Sequence, residues 1–118
     1  MVKIMTDCLF CKIVKKEINA DIIYENNSVL AFKDINPQSP VHILVIPKKH
    51  ISSLNELQEQ DINILSDLFK AIKKIVKDFN IEKDGYRVVI NTNKNGGQEV
   101  QHLHFHILGG RQLNWPPG

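Results

Sequence analysis

The chain has 118 residues, of which 42% are hydrophobic and 24% charged, with a net charge of +2. This length suits one domain, 1–118, whose core can fold without disulfides. The balanced charge argues against a nucleic-acid or membrane surface, and no apolar run approaches the roughly 18 residues of a membrane span. Because residues 1–8, MVKIMTDC, lack the apolar core of a signal peptide, we expect a cytoplasmic protein.

The first half of the chain predicts a short helix and three strands. LFCKIVKKE can form an amphipathic helix, and the turn residues NNS separate two short strands. A third, central strand follows Pro40 and ends near Pro47, since proline interrupts strand pairing. The predicted elements are a helix over 9–17 and strands over 21–25, 29–35 and 39–50.

The second half predicts one long helix and two further strands. From about 56 to 80, apolar residues recur at steps of three and four, the period of a helix packed on one side. Its start is open, because 53–56 (SLNE) and 55–58 (NELQ) both match a capping box. Strands are predicted over 86–91 and 100–109, with a turn-rich loop over 92–99 between them and an extended tail after them. Together the elements predict an α+β fold, a five-stranded antiparallel sheet with one long and one short helix.

Three of the five histidines, His102, His104 and His106, alternate with apolar residues in the predicted fifth strand. Alternation is the period of a strand, so the three rings should point to one face. Since each residue advances by about 3.3 Å, the outer two should lie roughly 13 Å apart, too far to share one metal ion. The row therefore serves more than one partner or faces an extended ligand.

Imidazole in such a row suits attack on phosphorus. Its reference pKa is about 6.5, so much of it is neutral at pH 7, and the N–P bond that it forms is labile to water. A neighbouring imidazolium can protonate a leaving amine or oxygen. Gly96 and Gly97 can present N–H groups to phosphate, with Asn91 and Gln98 as further donors, although a GG pair also forms ordinary hairpin turns. His42 is the one polar side chain of the apolar stretch 41–46.

Cys8 and Cys11 in CLFC have the spacing of a metal-binding or redox pair. A structural disulfide is not expected in a reducing compartment. A redox protein would leave the histidine row unexplained. Two buried reduced thiols are the plain structural alternative.

With HILVIPKKH at 42–50 and HLHFHIL at 102–108, the sequence resembles the histidine triad superfamily, named for His-φ-His-φ-His-φ-φ with φ apolar. The similarity runs from CLFCKI to RQLNWPPG, and the ending GGRQLNWPPG is most similar to the Hint branch of nucleotide-binding proteins. The resemblance implies a purine nucleotide phosphoramidate hydrolase that acts through a covalent nucleotidyl-histidine intermediate and releases AMP. It also implies a homodimer in which two sheets join. A nucleotide-binding regulatory module with incidental hydrolysis and a dinucleoside polyphosphate hydrolase remain alternatives.

The resemblance also implies residue roles. His104 would attack the α-phosphate, His106 would contact the phosphoryl oxygens and assist the leaving group, and His102 and His42 would orient His104. The remaining nucleotide-site residues would be Phe10, Ile13 and Phe32 at the purine, Asp34 and Ile35 at the ribose, Asn91, Gly97, Gln98, Glu99 and Val100 at the phosphate, and Trp115 reaching the partner subunit's site.

Two further points follow from the resemblance. Many bacterial-type relatives hold zinc with an N-terminal Cys-x-x-Cys and two histidines, which implies a structural zinc at Cys8, Cys11, His50 and His102, while catalysis itself needs no metal. Glu99 departs from the small hydroxyl residue that the Hint branch often has there. Since a carboxylate is repelled by phosphate, we expect Glu99 to pair with an amine on the leaving side instead.

Overall fold

The computed structural model describes residues 7–118, so most of the stretch on which the signal-peptide expectation depends lies outside the described residues. Within 7–118, no helix is long and apolar enough to cross a membrane. The helices are α1 (Leu9–Val14), α2 (Ile62–Asp78) and the single-turn α3 (Asn93–Gly96), with two 3-10 turns at Leu54–Glu56 and Glu59–Asp61. The strands are β1 (Ile22–Glu25), β2 (Val29–Lys33), β3 (Val41–Pro47), β4 (Tyr86–Val89) and β5 (Phe105–Gly109).

The five strands form one antiparallel sheet in the order β1-β2-β3-β5-β4, which confirms the predicted α+β fold. β3 lies at the centre, and all its residues after Val41 are buried. His42 pairs with Leu108 and Leu44 pairs with His106. Because side chains two residues apart share a face, this register makes His42 and His106 diagonal neighbours on one side of the sheet.

The two faces of the sheet carry different helices. One face packs against α2 through residues such as Val45, Phe105 and Ile107, and this is the larger core. The other face packs Leu44 and its neighbours against α1. His42 is two residues from Leu44, so the histidines of β3 and β5 lie on the α1 side.

The fifth strand is shorter than predicted. β5 begins at Phe105, so only His106 of the three histidines lies in a strand, and the prediction of three rings on one strand face was wrong. β3 ends at Pro47, which has no N–H, and the chain before β5 bonds elsewhere, with the Leu103 N–H donating to Ile51 O at 2.6 Å. The strands predicted at 29–35 and 86–91 are likewise shortened, and the predicted loop at 92–99 contains α3.

Asp61 is the residue before the long helix and lies in neither of the capping boxes considered from the sequence. Its side chain makes no cap hydrogen bond to α2 and instead closes the preceding 3-10 turn. The Asp61 carboxylate is 2% exposed, accepts from the Gln58 N–H at 3.0 Å and pairs with Lys49 Nζ at 2.7 Å. The Lys49 hydrogen bond and the Gln58 N–H hold its pKa below the ordinary value. Ser53 caps only the first 3-10 turn, where its hydroxyl accepts from the Asn55 N–H at 3.2 Å.

We expect Asp61→Ala to lower the free energy of unfolding by about 2–3 kcal/mol, because it removes a buried carboxylate that accepts from the Gln58 N–H and pairs with Lys49. Urea denaturation at pH 7 measures this, with the exposed Glu82→Ala as a control within about 0.5 kcal/mol of the native chain. Since the folded pKa is lowered, the Asp61 contribution is present above the unfolded value near pH 3.9 and is lost as the pH falls below it. Equal stabilities for both variants at pH 7 would contradict this role.

Candidate active site and metal cluster

A cavity of 460 Å³ opens on the α1 side of the sheet. Its lining contains almost all the side chains that the sequence suggested for a nucleotide. These are Phe10, Ile13, Phe32, Asp34, Ile35, His42, Asn91, Gly97, Glu99, Val100, His104 and His106. Residues that sequence reasoning missed include Leu9, Ile18, Lys33, Gln38 and Leu44. Leu44 alone had a sequence signal, since it shares a strand face with His42.

Two of the predicted nucleotide-contacting residues, Gln98 and Trp115, lie outside this lining, as does His102, which was predicted to orient His104. The Gln98 side chain bonds to main-chain groups, donating to Ser52 O at 2.7 Å and Val100 O at 3.0 Å and accepting from the Asn93 N–H at 2.9 Å. It therefore shapes the segment before the histidines. Trp115 is 80% exposed, and the Arg87 guanidinium lies 5.9 Å from its ring centre.

His104 has a defined tautomer. Its Nδ1 lies 2.7 Å from the His102 carbonyl oxygen, which can only accept, so Nδ1 carries the proton and Nε2 keeps its lone pair. The ring is 5% exposed, and the edge of Phe10 packs on it with ring centres 5.1 Å apart. Burial lowers the pKa of His104. The ring is therefore neutral at pH 7, with one nitrogen able to attack an electrophile.

His42 and His106 form a second chain of hydrogen bonds. The Gln38 N–H donates to His42 Nδ1 at 3.0 Å, so the His42 proton lies on Nε2. That nitrogen is 2.9 Å from His106 Nδ1 and 3.4 Å from a carboxylate oxygen of Asp34. His106 Nδ1 therefore accepts, and its Nε2–H is left as a donor. The resemblance implied that His42 supports His104, but the ring that it bonds is His106.

His106 is held neutral by its surroundings. Burial first, and then the neighbouring rings of His104 and His42, lower its pKa to about 4. Asp34 opposes this shift, so a proton added to the His42–His106 pair would meet a compensating negative charge. The other Asp34 oxygen accepts from the Asn36 N–H at 2.8 Å, so Asp34 also stabilises the turn that follows β2.

Cys8, Cys11, His50 and His102 form a separate cluster, with one donor atom from each lying within 4.8 Å of the others. His102 Nδ1 lies 3.4 Å from Cys8 Sγ and 3.6 Å from Cys11 Sγ, and His50 Nδ1 lies 3.3 Å from Cys11 Sγ. Tetrahedral zinc with ordinary bond lengths places sulfur and nitrogen ligands about 3.5 Å apart. These four residues therefore fit a tetrahedral zinc ion.

The hydrogen bonds of His102 also favour a metal. Its Nε2 lies 2.8 Å from the Pro47 carbonyl oxygen and must carry the proton, which leaves Nδ1 as a ligand atom facing the two sulfurs. Burial lowers the pKa of His102 to about 4. Burial and the Cys8 hydrogen bond raise the pKa of Cys11 to about 11, so the thiol is protonated unless a cation replaces the proton.

A second group, Asp34, His42 and His106, is close enough for a metal but has the wrong tautomer. A metal on His42 Nε2 would require the proton on Nδ1, where the Gln38 N–H already donates. The tautomer of His102 leaves a nitrogen free for a metal at the cysteine cluster, whereas the tautomer of His42 argues against a metal at Asp34, His42 and His106. The hydrogen bonds therefore favour a metal at the cysteine cluster and not at Asp34, His42 and His106.

Comparison with known proteins agrees with this geometry. The family model of the HIT domain matches residues 15–113 of this chain. The chain belongs to the HIT domain family. HIT domain chains of known structure include a HIT family hydrolase from Legionella pneumophila Philadelphia 1, with a TM-score of 0.93, 48% identity and coverage of 95% of this chain and 100% of that one. This supports a hydrolase.

Two further HIT relatives bear on ligands. A Zea mays protein named 14 kDa zinc-binding protein is 52% identical over 93% of this chain and 87% of its own length. A histidine triad nucleotide-binding protein from Candida albicans has a TM-score of 0.81 and 32% identity, covering 93% of this chain and 83% of that one.

Proposed function

We propose that this HIT domain chain is a purine nucleotide phosphoramidate hydrolase of the Hint branch. The observation that carries the proposal is the pairing, in one cavity, of a neutral His104 with a free Nε2 and a His106 whose Nε2–H can donate. One ring can attack phosphorus while the other binds the oxygens that gain charge. The name of the Candida albicans relative supports a nucleotide as the ligand.

The reaction is a double displacement. His104 Nε2 forms a bond to the α-phosphorus as the P–N bond to the leaving amine breaks. The amine keeps the electron pair of that bond and takes a proton from the His42–His106 pair, which acquires it when the anionic phosphate is bound. Water then attacks phosphorus, the His104–phosphorus bond breaks, AMP leaves, and the proton released by the water restores the pair. Asp34 balances the charge of the protonated pair.

The rest of the cavity suits a purine nucleotide. Phe10 and Phe32 meet edge to face with ring centres 5.5 Å apart, so they give the apolar lining an aromatic wall for a base. We place the ribose at Asp34 and Ile35, of which Ile35 is 98% exposed and so open to a ligand. The phosphate lies at Asn91, Gly97 and Val100, with Gln98 holding that loop in place.

Zinc is our proposal for the ion at Cys8, Cys11, His50 and His102, supported by the ligand spacing and by the name of the maize relative. The ion supplies structure, because four protein ligands leave no open position for substrate. His102 connects the cluster to the active site, since its ring faces the sulfurs and its carbonyl accepts from His104.

We also propose one HIT domain spanning 1–118, cytoplasmic and active as a homodimer. β4 is an edge strand that exposes 40% of Tyr86 and 36% of Val88, and Trp115 is more exposed still. An apolar edge of this kind is commonly covered by another subunit. Trp115 then lies near the partner subunit's site.

The pH profile of kcat/KM tests the state of the histidines. Because the pKa of His104 is lowered and that of His106 falls to about 4, we expect the acid limb of kcat/KM to lie below pH 6.5. At pH 6.0 a histidine with the ordinary pKa would be only about a quarter neutral, so we expect more than about a quarter of the plateau kcat/KM to remain there. Steady-state rates between pH 4.5 and 8.5 measure this. An acid limb centred at pH 6.5 or above would contradict it.

A nucleotide-binding module with incidental hydrolysis is the alternative from another class. It would bind AMP tightly yet turn over adenosine 5′-monophosphoramidate negligibly. Calorimetry of AMP binding together with steady-state turnover separates the two. Turnover of dinucleoside polyphosphates in preference to phosphoramidates would instead favour the third reading.

A further inference from the structure

Two cavities meet beside the histidines. Next to the larger one lies a second cavity of 320 Å³, lined by Asp7, Cys8, Leu9, His50, Glu99, Val100 and Gln101. Leu9, Glu99 and Val100 line both cavities. A ligand whose phosphate lies at His104 therefore has a second space beside it, and Glu99 stands between the two.

Within the described part of the chain, the Glu99 carboxylate has no cationic partner. Among the side chains of residues 7–118, no lysine or arginine forms an ion pair with it, whereas Glu25 and Asp61 are each paired. The side chain is exposed. Asp7 adds a second carboxylate to the smaller cavity, whose lining includes no lysine or arginine.

The charge of Glu99 reaches the active site. Burial lowers the pKa of His104, and the charge of Glu99, which lines the same cavity, is one of the influences that oppose this shift. A bound phosphate at His104 therefore meets a like charge. A ligand that places a cation in the smaller cavity removes this repulsion and gains an attraction.

We propose that Glu99 is a specificity-determining residue that selects nucleoside phosphoramidates whose leaving amine carries a second, protonated amine. The proposal rests on the phosphoramidate hydrolase function and names its substrate class. The leaving part lies in the smaller cavity, where Glu99, assisted by Asp7, binds the ammonium group. Simple alkylamine and acidic leaving groups lack this contact.

Three AMP phosphoramidates of similar length test the proposal, with 1,3-diaminopropane, butylamine and β-alanine as leaving groups. The first is cationic, the second neutral and the third anionic. For the native chain we expect kcat/KM to fall in that order, with about a fivefold difference between the first two at low salt. This difference should shrink as ionic strength rises.

Variants assign the preference to Glu99. In Glu99→Gln the ratio of the cationic to the neutral substrate should fall to about one, and in Glu99→Lys it should invert. Glu82→Gln is the matched control, because Glu82 is exposed and lines neither cavity, so it should keep the native ratio. Asp7→Asn should reduce the ratio by a smaller factor. Equal ratios in the native chain and Glu99→Gln would overturn the proposal.

A binding measurement separates this proposal from the hydrolase function. The same three compounds are titrated into His104→Ala protein, with and without Glu99→Gln. If the cationic compound binds more tightly and this preference disappears in Glu99→Gln, the role of Glu99 is supported. If the native chain nevertheless turns over no phosphoramidate, only the hydrolase proposal fails. Binding that does not depend on Glu99 overturns the specificity proposal whatever the turnover.

Discussion

His104→Ala is expected to lower kcat/KM for adenosine 5′-monophosphoramidate by at least about 10⁴-fold, because it removes the atom that bonds to phosphorus. The Nε2 lone pair is the product of one hydrogen bond, from Nδ1–H to the His102 carbonyl at 2.7 Å. Within residues 7–118 no other ring in the cavity has this arrangement, since His106 and His42 use one nitrogen each to bond one another. AMP release under steady-state conditions measures the loss.

Mass spectrometry gives a second readout of the same step. Native protein that is quenched without acid during turnover should gain the mass of an adenylyl group, and His104→Ala should not. Calorimetric binding of AMP to the variant controls for misfolding. His106→Ala serves as the comparison, with a smaller loss of about 10²–10³-fold, because it removes a donor but not the nucleophile. Retained turnover or a remaining adduct in His104→Ala would exclude the mechanism.

Replacing Cys8 with serine is expected to have the largest effect on stability. Cys8 is buried, and its sulfur lies 3.4 Å from His102 Nδ1. Loss of a structural zinc ligand should reduce bound zinc from one per chain to below about 0.1 and lower the free energy of unfolding by roughly 3–5 kcal/mol. For a chain of this size that corresponds to a fall in Tm of about 10–20 °C.

Elemental analysis of protein purified without chelator, together with thermal denaturation, measures both effects. His50→Ala should also lose zinc, and the double variant with Cys8→Ser should be little worse than either alone, because the ligands act as a unit. His42→Ala is the matched control, since it alters the other histidine cluster and should keep the full zinc content. Native protein without zinc, or Cys8→Ser with native zinc content, would refute the assignment.

The fold follows from features that are local in the sequence. The period of apolar residues predicted the long helix, and the alternation and turn residues predicted the succession of strands along the chain; both are present as α2 and the five strands of the antiparallel sheet. The ends of the helices and strands were the least accurate part of the prediction. α2 begins at Ile62, directly after a 3-10 turn in which Asp61 is held by Lys49, twelve residues earlier, and no local pattern contains that ion pair.

The membership of the site was also visible in the sequence. The alternating histidines, the Cys-x-x-Cys pair and the glycine loop indicated part of the cavity and of the metal cluster, and the resemblance to the histidine triad superfamily implied the other residues. The prediction that one strand presents all three rings to one face failed, because strand pairing begins only at Phe105, after His102 and His104. The rings of His102 and His104 are therefore oriented by hydrogen bonds to main-chain carbonyls rather than by the pleat of a sheet.

The sequence by itself thus determined which side chains are available: three histidines in a row, two thiols and a carboxylate at residue 99. Only the tertiary structure decided what each does, because the proton on an imidazole is set by its neighbours in space. The Pro47 carbonyl turns His102 towards the sulfurs, the His102 carbonyl leaves His104 with a free lone pair, and the Gln38 N–H makes His42 a donor to His106. Those contacts join residues far apart in the chain as well as near neighbours, so spacing alone could not assign them.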